Sequence, residues 1–192
     1  NGKVSDKNFS KYESKIKFFF NKRKNGVIGG TNIFITNYFS PTKVIIIGAV
    51  HIAQYLVSFI KKFNFEVFIV DPRDHFASKN RFPDTTIINK WPKEAFDILK
   101  TDHSCALIVL THDPKIDDIA IQHALKNNFF YIGALGSKKT HLKRCQRLKK
   151  NGFKKNEIEK IFGPIGLKIG GRSSPEIALS IISQLILEIN KR

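Results

Sequence analysis

From Lys43 onward, short uninterrupted apolar runs alternate with amphipathic stretches, and no other feature limits the fold so tightly. VIIIG (44–48), FEVFIVD (65–71), the weaker TTIIN (85–89), CALIVLTHD (105–113) and FFYIGALGS (129–137) read as five strands. Runs this apolar and β-branched suit parallel strands covered on both faces. Between them HIAQYLVSFIKKF (51–63) and the stretches 115–126 and 138–150 read as helices, the first with apolar residues at helical spacing and the last strongly basic. Parallel strands joined through helices take right-handed crossovers. The alternation therefore predicts an α/β fold, a doubly wound, Rossmann-like parallel sheet in three layers.

The flanks read differently. Residues 1–40 form a short N-terminal appendage: a helix-like KNFSKYESKIKFFF, a basic turn-rich NKRKNGVIGG, and NIFITNYF, which alternates enough to be a strand, closed by Pro41. Residues 41–192 form the Rossmann-type domain. Near its end, Ser173 and Glu176 match the S-x-x-E capping box, so a last helix is expected to begin there. Its seam of Ile177, Ile181, Leu185 and Ile189 belongs to the core. The chain has no Met and opens on Asn1, and is expected to lack its true start.

A formal charge of +17 raises the question of nucleic acid. The basic residues are mostly Lys scattered over expected surface helices, with neither an aromatic platform nor a helix-turn-helix pattern beside them. A solvated basic surface is the better reading, so no nucleic-acid partner is expected. No apolar run reaches the roughly 18–20 residues needed to span a bilayer, so no membrane partner is expected. Cys105 and Cys145 lack C-x-x-C spacing, and no secretory signal opens the chain. A reduced, cytoplasmic protein follows.

In an open parallel sheet, ligands bind beyond the carboxyl ends of the strands. Gly48 and His51 follow the first strand, Asp71 and Arg73 the second. His112 and Asp113 follow the fourth, and Gly136, Ser137 and Lys138 the fifth; Arg172 precedes the last helix. GAVHIA resembles the opening of a dinucleotide loop, but Val50 stands where G-x-G-x-x-G has its second glycine, obstructing a pyrophosphate. Gly48 also suits a plain strand-to-helix turn. Asp71, well placed for a ribose hydroxyl, lies near the expected spacing. Asp113 before Pro114 suits a helix cap as well as a ligand, and Asp117 and Asp118 suit a helix N-terminus. YIGALGSKKT combines small residues, a hydroxyl and cations, as an anion cradle would, although a glycine turn with solvated lysines fits too. His141 and Cys145 share a helix face, but two ligands make no metal site. G-x-S-x-G, H-E-x-x-H and Walker patterns are absent.

Taken together and in this order, IIIGAVHIAQ, VDPRDHFASKNRFP, VLTHDPKIDD, YIGALGSKKTH and GPIGLKIGGRSSPEIALSI resemble the C-terminal Rossmann domain of the xanthine dehydrogenase accessory factor family (XdhC/CoxI) over about residues 41–190. The resemblance implies a non-enzymatic maturation factor. Such a factor binds the molybdenum cofactor, promotes or protects its sulfurated form, and hands it to a molybdenum hydroxylase such as xanthine dehydrogenase or carbon monoxide dehydrogenase. A cysteine desulfurase as further partner and a homodimer are compatible with it. The family loop is similar to G-A-G-H, from which Val50 departs while His51 remains, and family members usually carry an additional N-terminal domain. On this reading Gly136, Ser137, Lys138 and Arg172 serve a phosphate, while His51, Asp71, His112 and Asp113 meet the polar ring system. The alternatives are an NAD(P)-binding oxidoreductase, weakened by Val50, and a regulatory relic without ligand.

Overall fold

A computed structural model describes residues 7–22, 24–38 and 41–191. They divide into two compact units, one of residues up to 40 together with those after Glu188, the other Pro41–Glu188. The first holds a 3-10 turn, Lys7–Tyr12, and a helix α1, Glu13–Asn21. Its strands β1, Gly26–Val27, and β2, Phe34–Ile35, pair antiparallel. The expected strand thus shrinks to two residues here; Arg23, Phe39 and Ser40 lie outside the described residues. Asn37 stitches this unit, its amide donating to the Phe19 and Lys24 carbonyls.

The larger unit alternates strand and helix: β3 Lys43–Ile47, α2 His51–Ile60, β4 Glu66–Val70, β5 Thr86–Ile88, α3 Pro92–Ile98, β6 Ala106–Val109, α4 Pro114–Lys126, β7 Tyr131–Ala134, α5 Lys138–Lys150, α6 Lys155–Ile158, β8 Ile161–Phe162 and α7 Ser174–Asn190. All six strands run parallel, in the order β5-β4-β3-β6-β7-β8. This is the Rossmann order. The five expected strands are all present. The unforeseen elements are short: β8 has two residues and α6 four, too few for a period to show, and α3 has seven, opening on Pro92 at its first turn.

Alternating residues of each strand feed two cores. Ile45, Ile47, Leu107, Val109 and Ile132 join Phe96 of α3, Ile121 of α4 and Leu148 of α5 in one buried cluster. Ile46, Ile69, Ile108 and Tyr131 point the other way, where Leu56 and Ile60 of α2 and Ile181 and Leu185 of α7 are buried. Helices on both faces make three layers. Among the described residues no helix is long and apolar enough to cross a membrane.

Gln184 of α7 fastens that second face. Its Oε1 accepts from the buried Tyr131 hydroxyl at 2.8 Å and from the Gly166 N–H at 2.8 Å, so one amide holds both β7 and the loop before α7. Gly133 has no side chain because Ile165 and the Tyr131 hydroxyl occupy that space. Gln184→Leu leaves the buried Tyr131 hydroxyl and the half-buried Gly166 N–H without this acceptor and should lower unfolding free energy by roughly 1–3 kcal/mol, read as a drop in urea midpoint at unchanged slope.

Candidate functional site

The chain runs from β3 outward to β5, then returns to β6 and proceeds the other way, so the strand order reverses between β3 and β6. A crevice is expected at the carboxyl ends of these two strands. At its first wall, Gly48 takes φ +105, and a Cβ there would meet Thr111 Cγ2 at 2.7 Å and the Thr111 nitrogen at 3.2 Å. Glycine is required both by that backbone and by the close approach of the β6 end. Val50 is the N-cap of α2 and offers its helix no side-chain acceptor. His51 is exposed at the first turn, its Nδ1 3.2 Å from Gln54 Oε1.

Asp71, at the end of β4, is 0% exposed. Oδ2 accepts from the Ala49 N–H at 2.8 Å and Arg73 Nη2 at 2.7 Å, and Oδ1 accepts from the Arg73 N–H at 3.0 Å and Nε at 2.8 Å. Burial alone would raise this carboxyl, but the bonds from Arg73 and Ala49 together hold it below the usual carboxylate range. The same pairing raises Arg73 above its ordinary value, and Asp113 adds its charge. Arg81 closes this wall: Nη1 donates to the Ala49 and Phe76 carbonyls, each at 2.7 Å, and both Arg73 and Arg81 lie over the Phe76 ring.

The second wall follows β6. Thr111 Oγ1 donates to Asp117 and accepts from the Asp113 N–H at 3.1 Å. His112 is exposed and takes φ +67, a left-handed conformation uncommon outside glycine. Asp113 caps α4, accepting from the Lys115 N–H at 2.9 Å. Asp117 and Asp118 do more than answer a helix dipole. They are buried against α5, where Arg147 Nη2 donates to Asp118 at 2.9 Å and Arg144 Nη2 lies 3.8 Å from Asp117. Burial pushes the Asp117 carboxyl up, against the pull of Thr111 and Arg144. Arg144 is 1% exposed; Nη2 donates to the Leu135 carbonyl, while Nε and Nη1 have no hydrogen-bond partner among the described residues.

The third wall joins β7 to the loop before α7. Gly136 takes φ +129 beneath Thr140, and Ser137 caps α5 by accepting from the Thr140 N–H at 3.2 Å. Glu176 accepts from the Arg172 N–H at 3.0 Å, the Ser173 N–H at 2.8 Å and the Ser173 hydroxyl at 2.6 Å, so the Glu half of the expected box is formed while the Ser hydroxyl donates to the carboxylate. The hydroxyl and then the two N–H groups draw its carboxyl below the ordinary value. Between these anchors lies a cavity of about 460 Å³, lined among others by Leu135, Lys138, Ile165, Lys168, Arg172 and Ile177.

The predicted residues therefore share one edge of the sheet but form separate groups. Gly48, Asp71 and Arg73 hold one another or the loops beside them; His51, His112 and Asp113 lie exposed along the crevice; Lys138 and Arg172 both line the cavity, next to the turn carrying Gly136 and Ser137. Lys168, Arg81 and Arg144 were not anticipated. The first sits in a glycine-rich loop without periodicity, and the other two depend on long-range contacts that no local motif encodes. His141 Nε2 lies 3.4 Å from Cys145 Sγ, and no cluster of three potential metal ligands occurs among the described residues.

Residues 44–185 match the XdhC Rossmann domain. The chain is similar to a probable xanthine dehydrogenase subunit of Bacillus subtilis, 28% identical over 157 residues, covering 81% of this chain and 46% of that protein. It is 33% identical over 102 residues to the molybdenum cofactor insertion chaperone PaoD of Escherichia coli, covering 53% and 31%. A crystal structure of a xanthine dehydrogenase from Bacillus halodurans superposes with a TM-score of 0.69 at 30% identity, covering 79% of this chain and 44% of that one. The chain thus spans less than half the length of these relatives.

Two variants test the first wall. Asp71→Asn should cost about 1–3 kcal/mol near neutral pH through weakened charged hydrogen bonds. Because the folded-state value of Asp71 is depressed, its contribution is whole above about pH 4 and is lost as pH falls toward that value, so the variant's stability should decline less over this acid range. Gly48→Ala should cost about 1–3 kcal/mol at all pH values, from backbone strain and the Thr111 contact.

Proposed function

The chain belongs to the XdhC family, and on that premise we propose that it binds the molybdenum cofactor and serves the maturation of a molybdenum hydroxylase of the xanthine dehydrogenase or carbon monoxide dehydrogenase type. The observation that carries this reading is the division of the sheet edge. On the β3–β4 side, where a dinucleotide would place its ribose, Asp71 is already engaged by Ala49 and Arg73. On the β7–α7 side a cavity of about 460 Å³ stays open, with Lys138 and Arg172 in its lining. Its size falls in the range of small-molecule sites.

The donor set suits a pterin that bears a phosphate. Lys138 and Arg172 would hold the phosphate, Arg172 through a guanidinium fork matched to its oxygens, and the turn at Gly136 and Ser137 offers backbone N–H groups at the start of α5. His51, His112 and Asp113, exposed along the crevice, supply both donors and acceptors for a polar ring system. The cofactor's redox chemistry is exercised in the recipient enzyme, so the chain itself needs no catalytic group. Sulfuration, on this reading, falls to a cysteine desulfurase acting as partner, and a homodimer is compatible with the carrier role.

An NAD(P)-dependent oxidoreductase is favoured by strand order, while Val50 at the N-cap and the engaged Asp71 count against it. Purified from a molybdate-fed host, the folded chain is expected to retain molybdenum and fluorescent pterin oxidation products in near-equal amounts. Arg172→Ala and His112→Asn, the latter chosen because Asn tolerates the left-handed backbone, should each reduce retention about tenfold. A folded chain that retains neither and binds NAD(P) saturably overturns the proposal.

A further inference from the structure

We propose that the cavity between the start of α5 and the loop before α7 is a specific site for a terminal phosphate monoester whose attached body presents an apolar face, with Lys168 as its third cation. This deepens the cofactor reading and rests on it for the identity of the natural ligand, but the chemistry stands on the cavity itself. Lys138, Lys168 and Arg172 all line one concavity of about 460 Å³, and none of the described residues lining it carries a carboxylate. Elsewhere along this edge three arginines are matched by carboxylates, Arg73 with Asp71, Arg144 with Asp117 and Arg147 with Asp118, while Arg81 is held by the Ala49 and Phe76 carbonyls. Three positive side chains around a shared hollow repel one another and concentrate a field that an entering anion relieves.

Each cation is held at its base by the fold. Lys138 is the first residue of α5, after the Ser137 cap. The Thr140 N–H is engaged by Ser137 Oγ and the His141 N–H by the Ser137 carbonyl, so the earlier N–H groups of this 13-residue helix and its dipole face outward for an anion. The peptide nitrogen of Arg172 is fixed by Glu176. Lys168 follows Leu167, whose N–H donates to the Ser180 carbonyl at 3.2 Å and whose carbonyl accepts from the Ser180 hydroxyl. Gly166 can turn the chain there because it takes φ +95 with Ser180 packed against it.

The remaining walls select what is attached to the phosphate. Leu135, Ile165, Ile169 and Ile177 line the same hollow and favour a substituent that turns an apolar face to them. A bare phosphate would meet the cations and leave these side chains in water. A dinucleotide would need room for its second half on the β3–β4 side, where Arg73 and Arg81 already sit against Asp71 and Ala49.

Calorimetric titration of the full chain with phenyl phosphate, inorganic phosphate and NAD tests the site, alongside molybdenum and pterin retention of the same preparations. Phenyl phosphate should bind one per chain and at least about fivefold more tightly than inorganic phosphate. Lys168→Ala and Arg172→Ala should each weaken it about tenfold, Lys168→Arg should restore most of the loss, and Lys93→Ala, on a different surface groove, should change nothing. All three of the exposed cations can be replaced without touching the core, and unchanged urea midpoints would show it. Absence of saturable binding, or equal weakening by Lys93→Ala, overturns the proposal. Pterin retention that survives Lys168→Ala with Arg172→Ala sinks this site and leaves the maturation reading standing. Phenyl phosphate binding with the predicted variant pattern, but no pterin retention, supports the site and sinks the maturation reading instead.

Discussion

The buried carboxylate of Asp71 ties the turn after β3 to the end of β4, and the chemistry of the whole edge follows from that bond. An ionised group with no exposure persists only when its lone pairs are filled, and four donors from Ala49 and Arg73 fill them. Once filled, the carboxylate offers little to a sugar hydroxyl. The position that reads as a ribose acceptor is an internal clamp, and Arg81 strengthens it by holding the Ala49 carbonyl from the other side. A Rossmann sheet order is thus compatible with a ligand that avoids the dinucleotide half of the crevice.

The second and third walls are coupled through α5. Arg144 reaches from that helix to the Leu135 carbonyl and lies near Asp117, which in turn receives the Thr111 hydroxyl. Thr111 packs against Gly48. A continuous line of contacts therefore joins the loops after β3, β6 and β7. Burial draws the Arg144 guanidinium down, and Asp117 and Asp118 oppose it. Losing one partner of such a group typically costs about 3–5 kcal/mol, more than an exposed ion pair contributes, so this network fixes where the loops stand rather than merely decorating them.

The large elements were legible because each announces itself locally. Four of the five strands were near-continuous apolar runs, α5 began after a Ser and α7 within S-x-x-E; Ser137 accepts from the Thr140 N–H, and Glu176 reaches back to the Ser173 N–H. Asp117 and Asp118 were legible only as helix-terminal charges; their burial depends on arginines about 30 positions away. Lys168 left no signal, since nothing in GLKIGG distinguishes a cavity-lining lysine from a solvated one. Asp71 left a partial one: its spacing from Gly48 suits a ribose contact, whereas its bonds from Ala49 and from both the backbone and the side chain of Arg73 become visible only in the fold. Local period and capping are written in neighbouring residues, whereas convergence of side chains at a site is written in topology.

The central claim is that ligand binds on the β7–α7 side of the sheet edge. Amide chemical-shift mapping of the isotopically labelled chain during titration with phenyl phosphate tests it most directly. Shifts concentrated at residues 136–140 and 166–173, with 48–50 and 71–73 unmoved, are what this proposal predicts. Shifts centred on 48–50 and 71–73 would contradict it and return the ligand to the dinucleotide position.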